Sequence, residues 1–272
     1  MLDEAAARLA SAGIDTPRVD AELLLSHVIG VRRSRLLMID TVHPSAVVAL
    51  DRLLKRRVAR EPLQHLVGRA PFRHIQVAVG PGVFVPRPET ELLVDAVLPR
   101  LRAVAEPVAV DLCSGSGALA LAVADEVPTA RVIAVELDTD AANWLTRNAR
   151  GTRVEVVVGD VTDPGVVRDL TGRVDAVVCN PPYVPDATEV SPEVRFDPKR
   201  AVFAGPDGLA LMPDVIARAA ELLRPGGVLA LEHDDTHATV VADLLDTDDR
   251  WQDVLDRRDL TDRPRYVTAV RR

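Results

Sequence analysis

The sequence of 272 residues predicts an α/β protein in which a small helical domain precedes a mostly parallel sheet. Two observations lead to this fold class. The first 70 or so residues show only helical spacing of apolar residues, whereas from Pro88 onward strand-like apolar runs alternate with helical segments. Strands separated by helices pair in parallel through right-handed crossovers. We therefore expect a helical domain at residues 1–71, a hairpin linker at 72–87 and a sheet domain at 88–272.

The N-terminal elements follow from capping and turn signals. Helices are predicted at Leu2–Ala12, at Pro17–Ile29 and in a run that Ser45 caps. On that third helix, Arg56 and Arg57 are expected to lie on a solvated face. The stretch Phe72–Val85 alternates apolar and polar residues around Gly80-Pro81-Gly82, which predicts a β-hairpin that turns at those three residues.

The sheet domain is predicted from alternating helical and strand-like segments. Its helices are expected at Pro88–Leu101, Ala118–Val127, Thr139–Arg150 and Leu209–Leu223. Its strands are expected at Val108–Cys113, Arg131–Leu137, Val154–Val158, Val174–Cys179 and Val228–His233. Two further strands between Trp251 and Arg272 should form a closing hairpin that adds an antiparallel strand.

Composition excludes several classes of protein. Two cysteines and six scattered histidines give no disulfide framework and no zinc pattern, so we expect no metal site. No apolar run reaches membrane-spanning length and no signal peptide opens the chain, which predicts a soluble, cytoplasmic protein. Cys113 and Cys179 end strands that should be neighbours, and we expect reduced thiols there.

The charge is unevenly distributed along the chain. The net charge of -8 disfavours non-specific binding to nucleic acid. Residues 1–75 carry 12 Lys/Arg and 8 Asp/Glu, a balance of +4, which leaves -12 on the remainder. This asymmetry indicates that the two halves face different partners.

Asn180-Pro181-Pro182-Tyr183 directly follows the buried strand predicted at 174–179, where open α/β sheets place their chemistry. Two consecutive prolines remove two N–H donors and stiffen the turn, which leaves exposed carbonyl acceptors. A planar –NH2 group could donate its hydrogens to the Asn180 side chain and the Pro181 carbonyl, with Tyr183 stacked on its plane. The turn therefore predicts a cradle for an amino or amide group.

A second cluster of motifs predicts a nucleoside site. The run from Asp111 to Ala120 contains Gly115-x-Gly117-x-x-Ala120 at the first strand-to-helix turn, where small residues let the backbone approach a ligand. Glu136 ends the next strand, where a carboxylate can accept hydrogen bonds from both ribose hydroxyls. Asp160 ends the third strand and is placed to reach an adenine amino group. Because the turn at Asn180 offers neither an acid nor a base, S-adenosylmethionine fits better than a nicotinamide cofactor.

With these motifs in view, the chain resembles the PrmC/HemK family of peptide chain release factor N(5)-glutamine methyltransferases. The resemblance covers nearly the whole length. Besides the glycine loop and Asn180–Tyr183, it is carried by Arg60–Gly68, Phe84–Glu91, Phe203–Leu209 and Leu231-Glu232-His233. The Asn-Pro-Pro-Tyr turn alone is shared with adenine and ribosomal-protein glutamine methyltransferases. The Pro-Arg-Pro-Glu-Thr-Glu segment and the helical front domain narrow the resemblance.

The resemblance implies a Rossmann-like S-adenosylmethionine-dependent methyltransferase sheet and a substrate-recognising front domain. The substrate would be the glutamine of a Gly-Gly-Gln tripeptide in release factors, and the cofactor product S-adenosylhomocysteine. Asn180, Pro181, Pro182 and Tyr183 would hold the substrate amide. The cofactor would be bound by Phe84, Asp111, Cys113, Ser114, Gly115, Ser116, Gly117, Glu136, Asp160, Val161 and Asn180. We expect a monomer without a stable nucleic-acid or membrane partner.

Some positions depart from the family pattern. Cys113 stands where many members have Gly, which is tolerable if that position needs no positive φ. Val161 replaces an aromatic residue of some members, and Asp234 and His237 replace a usual Gly and Gln. The alternative functions are methylation of a ribosomal-protein glutamine or of an adenine amino group, and a non-catalytic binding module. An adenine substrate would need a basic groove, against which the -12 balance argues.

Overall fold

The computed structural model describes all residues 1–272, which divide into two compact units. The first comprises 1–69, 79–81 and 190–197, and the second comprises 70–78, 82–189 and 198–272. The bounds predicted from sequence treated each domain as one continuous segment. The assignment of residues 190–197 to the N-terminal unit has no counterpart in that prediction.

The first unit is helical. Its α-helices are α1 (Leu2–Ser11), α2 (Pro17–Ile29), α3 (Pro44–Val58) and α4 (Leu63–Val67), with a 3-10 helix at Arg33–Met38. The prediction that Ser45 caps α3 was wrong. The cap is His43, whose Nδ1 accepts a hydrogen bond from the Ser45 backbone N–H at 3.3 Å, because Pro44 occupies the first helical position. Leu9, Leu24 and Leu50 are almost completely buried in the small core.

A buried ion cluster attaches residues 190–197 to this unit. Arg57 Nε lies 2.7 Å from Asp20 Oδ2, and Arg57 Nη1 lies 2.9 Å from Glu193 Oε1. Arg60 Nη2 donates to the other Glu193 oxygen at 2.8 Å. Arg57 is only 7% exposed, so the expectation of a solvated face was wrong for this residue. It is buried because two carboxylates compensate its charge.

The second unit contains a seven-stranded sheet with helices. Its strands are β3 (Val108–Leu112), β4 (Arg131–Glu136), β5 (Val154–Val158), β6 (Val174–Cys179), β7 (Leu223–Glu232), β8 (Trp251–Arg258) and β9 (Pro264–Arg271). Its helices are α5 (Glu91–Arg102), α6 (Ala118–Glu126), α7 (Thr139–Ala149), α8 (Met212–Leu222) and α9 (Ala238–Asp246). The order β5-β4-β3-β6-β7-β9-β8 is parallel except that β9 runs antiparallel to β7 and β8. The predicted fold class is confirmed.

The small hairpin turns at a different place from the one predicted. Strands β1 (Arg69–Phe72) and β2 (Ile75–Ala78) are joined by Arg73 and His74, not by Gly80-Pro81-Gly82. Arg73 adopts a φ of 48°, its backbone N–H donates to Glu91 Oε1 at 3.0 Å, and its guanidinium pairs with Glu126. These tertiary contacts allow a two-residue turn in a sequence without a glycine turn signal.

Three differences occur near the C-terminus. Helix α9 was not predicted; only Val241 and Leu245 on it are buried, so its apolar pattern is short. Helix α8 begins at Met212 rather than Leu209. Strand β7 begins at Leu223 and includes the predicted turn at 224–227, where its pairing with β6 shifts register between Val174 and Ala176. No helix of the structure is long and apolar enough to cross a membrane.

Two apolar layers bury the sheet on both faces, as a parallel sheet requires. One layer packs α5 and α6 against the sheet through residues such as Leu93 and Leu119, and the other packs α8 through Val215. Strands β3 and β6 are central neighbours, with Leu112 paired to Cys179. Chain order reverses between them, so their carboxyl ends form the crevice in which ligands bind in such sheets.

Candidate active site

A cavity of about 220 Å³ lies at the carboxyl ends of β3, β4 and β6 in the second unit. Ten of the predicted site residues line it: Phe84, Cys113, Ser114, Gly115, Ser116, Glu136, Asp160, Val161, Asn180 and Pro182. Four others, Asp111, Gly117, Pro181 and Tyr183, are not among the lining residues. Leu137, Asp138 and Arg200 also line it and were not predicted.

The glycine loop owes its shape to three left-handed residues. Cys113, Gly115 and Gly117 have φ values of 61°, 55° and 85°. A Cβ on Gly117 would lie 2.4 Å from Leu145 Cδ1, whereas one on Gly115 would meet nothing within 4 Å. The condition placed on Cys113 is not met: this position does take a positive φ, so the cysteine replaces glycine in a conformation that costs an L-residue free energy.

Asp111 supports the loop from below. The residue is 1% exposed, and its Oδ2 accepts a hydrogen bond from the Ala120 backbone N–H at 3.1 Å. Its Oδ1 has no hydrogen-bond partner. Burial raises the pKa of this carboxyl to about 8, so the protonated form predominates at neutral pH. The contacts of Asp111 therefore hold the start of α6 rather than face the cavity.

Glu136 has a fixed position on the cavity wall. Its Oε2 accepts from the Gly115 backbone N–H at 2.7 Å, and its Oε1 accepts from the Asp138 N–H at 2.8 Å. Burial raises its pKa, and these backbone hydrogen bonds oppose that rise. Each carboxylate oxygen has two acceptor sites, so both oxygens retain capacity for a ligand donor. The side chain thus links the glycine loop to the end of β4.

Asp160 presents a carboxylate farther along the same rim. Its Oδ1 accepts from the Thr162 backbone N–H at 2.9 Å and from the Thr162 hydroxyl at 2.7 Å. These two hydrogen bonds lower its pKa, with a smaller contribution from the charge of Arg200. Both bonds use Oδ1, so Oδ2 is available to a donor in the cavity. Neighbouring Val161 is 5% exposed and gives the wall an apolar surface.

Asn180 has a defined amide orientation. Its Nδ2 donates to Thr90 Oγ1 at 3.0 Å, an assignment made from the hydrogen-bond partners. The carbonyl Oδ1 is then the acceptor left for the cavity. Tyr183 donates its hydroxyl to Glu232 Oε1 at 2.9 Å, and Glu232 is 1% exposed. Burial raises the pKa of Glu232 to about 7, against the hydroxyls of Thr90 and Tyr183.

Gly208 supports the Asn-Pro-Pro-Tyr turn on its other side. Its φ is 75°, and a Cβ there would lie 2.3 Å from the Tyr183 carbonyl oxygen and 2.9 Å from His237 Cε1. No side chain fits this contact, which explains the glycine. Sequence reasoning assigned no role to Thr90, Glu232 or Gly208. Their signals were the motifs Phe84–Glu91, Leu231–His233 and Phe203–Leu209, in which they occur.

The two thiols lie side by side at the base of the cavity. Cys113 is partly exposed, Cys179 is buried, and both are free. Burial, and then the hydrogen bond with Cys113, raise the pKa of the Cys179 thiol. No group of three or more His, Cys, Asp or Glu side chains is arranged to hold a metal ion.

Comparisons with known proteins agree along the whole chain. Residues 1–68 match the model of the PrmC N-terminal domain, and residues 75–195 match that of the methyltransferase small domain. A release factor glutamine methyltransferase of Mycolicibacterium smegmatis is 50% identical over 99% of this chain and 96% of its own length. A protein of the same name from Streptomyces coelicolor is 48% identical over 98% of this chain and 95% of its own.

A solved structure adds evidence on the fold alone. The Thermus thermophilus 16S rRNA N2 G1207 methyltransferase, solved with AdoMet and guanosine, is 22% identical, with a TM-score of 0.52. The match covers 75% of this chain and 50% of that protein. The full-length identity to the two relatives confirms the resemblance noted from the motifs: the chain belongs to the release factor glutamine methyltransferase family.

Proposed function

We propose that this protein transfers the methyl group of S-adenosylmethionine to the side-chain amide nitrogen of a release-factor glutamine in a Gly-Gly-Gln motif. The products are N(5)-methylglutamine and S-adenosylhomocysteine. One observation carries the proposal: Thr90 holds the Asn180 amide so that its carbonyl is the acceptor left for a substrate. That acceptor lines the same cavity as the glycine loop, Glu136 and Asp160.

The cavity residues fit the parts of the cofactor. Glu136 would accept hydrogen bonds from the ribose hydroxyls and Asp160 one from the adenine amino group, while Val161 packs against the base. The turn at Gly115–Gly117 leaves room for the backbone to approach the ligand, and Phe84 would lie beside its methionine part. When bound, the sulfonium supplies a methyl group already activated for displacement. The protein then needs to exclude water and align the acceptor nitrogen.

The amide nitrogen of glutamine is a weak nucleophile because its lone pair is delocalised into the carbonyl. Asn180 Oδ1 and the Pro181 carbonyl would accept the two amide hydrogens, while Tyr183 stacks on the amide plane. Holding both hydrogens fixes the direction of the nitrogen lone pair and favours pyramidal geometry. Positioning therefore supplies most of the rate, and the proton leaves during or after transfer.

The test is a transfer assay with labelled S-adenosylmethionine and three acceptors: a release factor, a ribosomal protein and DNA. We expect label in the release factor. Asn180→Ala removes one acceptor from the substrate amide, and we expect its turnover to fall by about 100-fold, the scale of a misplaced reactant. Calorimetry should show that this variant still binds the cofactor. Turnover of Asn180→Ala at the wild-type rate, or label in DNA instead of protein, would overturn the proposal.

A further inference from the structure

A chain of buried polar groups lies behind the substrate acceptors. Asn180 Nδ2 donates to Thr90 Oγ1 at 3.0 Å, and the Thr90 hydroxyl reaches the Glu232 carboxyl. The same carboxyl accepts the Tyr183 hydroxyl at 2.9 Å. We call these four residues the polar chain. They come from three places in the second unit: the 3-10 helix Pro88–Thr90 before α5, the end of β7, and the turn after β6.

The polar chain is built at a cost in free energy. Thr90 is 4% exposed and Glu232 is 1% exposed, and Glu232 Oε2 has no hydrogen-bond partner. Burying a carboxyl group without a full set of partners is unfavourable, and an apolar side chain would fill the space more cheaply. Neither Thr90 nor Glu232 is needed for the apolar packing. A cost of this kind at the end of a central strand points to a role beside the acceptor site.

The donor and acceptor roles of these groups determine the orientation of Asn180. A carboxylate only accepts, so the hydroxyls of Thr90 and Tyr183 must both donate to Glu232. Thr90 has a single hydroxyl hydrogen, so its oxygen is left to accept from the amide group of Asn180. Asn180 therefore presents its carbonyl, not its –NH2, to the cavity. The flipped amide would place one –NH2 group against another.

We propose that Glu232, acting through Thr90, is a positioning residue that sets the orientation of the Asn180 amide and also fixes the Tyr183 ring. This inference rests on the proposed function and adds two residues to it. Neither side chain touches the substrate. Their contribution is to hold an acceptor and a stacking ring in register while the methyl group is transferred.

The charge of Glu232 gives the proposal a pH signature. The groups facing it are Tyr183 after β6, Thr90 and Glu89 before α5, and Arg265 on β9. Burial is the main reason that its pKa is about 7, well above the ordinary 4.5. Below that pH the protonated carboxyl can donate as well as accept, so it no longer dictates the direction of the two hydroxyls. Turnover should therefore rise with pH through about 7.

Matched variants test the role of Thr90. Thr90→Val keeps the shape and removes the hydroxyl, whereas Thr90→Ser keeps the hydroxyl. We expect Thr90→Val to lose about 100-fold in kcat with an unchanged Kd for S-adenosylhomocysteine. Thr90→Ser should stay within a few-fold of wild type. Equal kcat in the two variants would overturn the proposal.

Glu232→Gln supplies the second variant. It is isosteric, but its amide both donates and accepts, so we expect a lower kcat and a pH profile without the rise near 7. Retention of the wild-type kcat and profile would overturn the proposal, even if Thr90→Val fails to fold.

A substrate-free measurement separates this inference from the proposed function. In wild-type protein, the side-chain –NH2 of Asn180 should show slow hydrogen exchange by NMR, and in Thr90→Val fast exchange. Fast exchange in the wild type would contradict the polar chain itself. If exchange is slow but no release factor is methylated, the proposed function fails and the orientation of Asn180 stands.

Discussion

Cys113 has a Cβ in a backbone conformation that usually belongs to glycine. Its φ of 61° starts the loop that brings Ser114 and Gly115 to the cavity. The residue type gave no sign of this, because single-sequence reasoning reads φ only from Gly, Asn or Pro. The hydrogen bond from the Ser114 backbone N–H to the Val135 carbonyl, at 3.0 Å, helps to hold the strained residue in place.

Asp111 should make stability depend on pH. Its folded pKa of about 8 lies above the ordinary 3.8, so the folded state keeps a proton that the unfolded chain releases between those values. Its contribution to stability is intact below 3.8 and is lost as the pH rises to about 8. Asp111→Asn removes this titration. Its stability relative to wild type should increase across that window by roughly 1.4 kcal/mol for each pH unit, as an upper limit.

Urea unfolding of both proteins at several pH values measures this difference. The difference between the two curves isolates Asp111 from Glu136 and Glu232, whose pKa values are also raised. A constant difference from pH 4 to 8 would show that Asp111 is ionised in the fold, contrary to our assignment.

At the scale of elements, the glycine loop and α7 make the most specific contact. Gly117 caps α6, and Leu145 of α7 occupies the space where its Cβ would lie. Gly117→Ala therefore adds overpacking to φ strain and should lose about 1–3 kcal/mol more stability than Gly115→Ala. Gly115 is the matched control, since it has a positive φ and no atom within 4 Å of the added Cβ. Equal losses of unfolding free energy in the two variants would exclude the contact.

Local patterns predicted the strands of the sheet better than the connections between them. Val154–Val158 and Val174–Cys179 were predicted with the observed bounds, because buried parallel strands read as continuous apolar runs. The hairpin turn was missed because Arg73 takes its positive φ from tertiary hydrogen bonds. Helix α9 was missed because Val241 and Leu245 give one helical repeat only.

The site divides in the same way. The residues predicted at strand ends line the cavity, because the carboxyl ends of neighbouring parallel strands must meet. Thr90 and Glu232 were not recognised because their role depends on hydrogen bonds across sequence separations of 90 and 49 residues. Such pairs leave no periodic signal in a single sequence.

At the scale of the whole molecule, the chain crosses twice between its two units within the loop after Asn180–Tyr183. Residues 190–197 belong to the helical unit, and Glu193 pairs there with Arg57 and Arg60. Although burial opposes it, these two arginines lower the pKa of Glu193. The pairs join residues more than 130 positions apart, which no local pattern reveals.

Glu193→Gln should loosen this attachment. Arg57 keeps Asp20 as a partner at 2.7 Å, so the helical unit should remain folded while residues 190–197 exchange their amide hydrogens faster. We expect a loss of local stability of about 1–3 kcal/mol, the cost of leaving buried donors poorly paired. Hydrogen–deuterium exchange measures it, with Glu189→Gln as control because Glu189 is exposed. Unchanged exchange in Glu193→Gln would show that the ion pairs do not hold the segment.

The central claim is that the acceptor is a protein amide nitrogen held at Asn180. The most direct test is to incubate the protein with S-adenosylmethionine and an intact release factor, then to locate the methyl group by peptide mass spectrometry. We predict a mass increase of one methylene group on the glutamine of Gly-Gly-Gln, absent when that glutamine is replaced. A methyl group on another residue, or on nucleic acid supplied in the same reaction, would contradict the account.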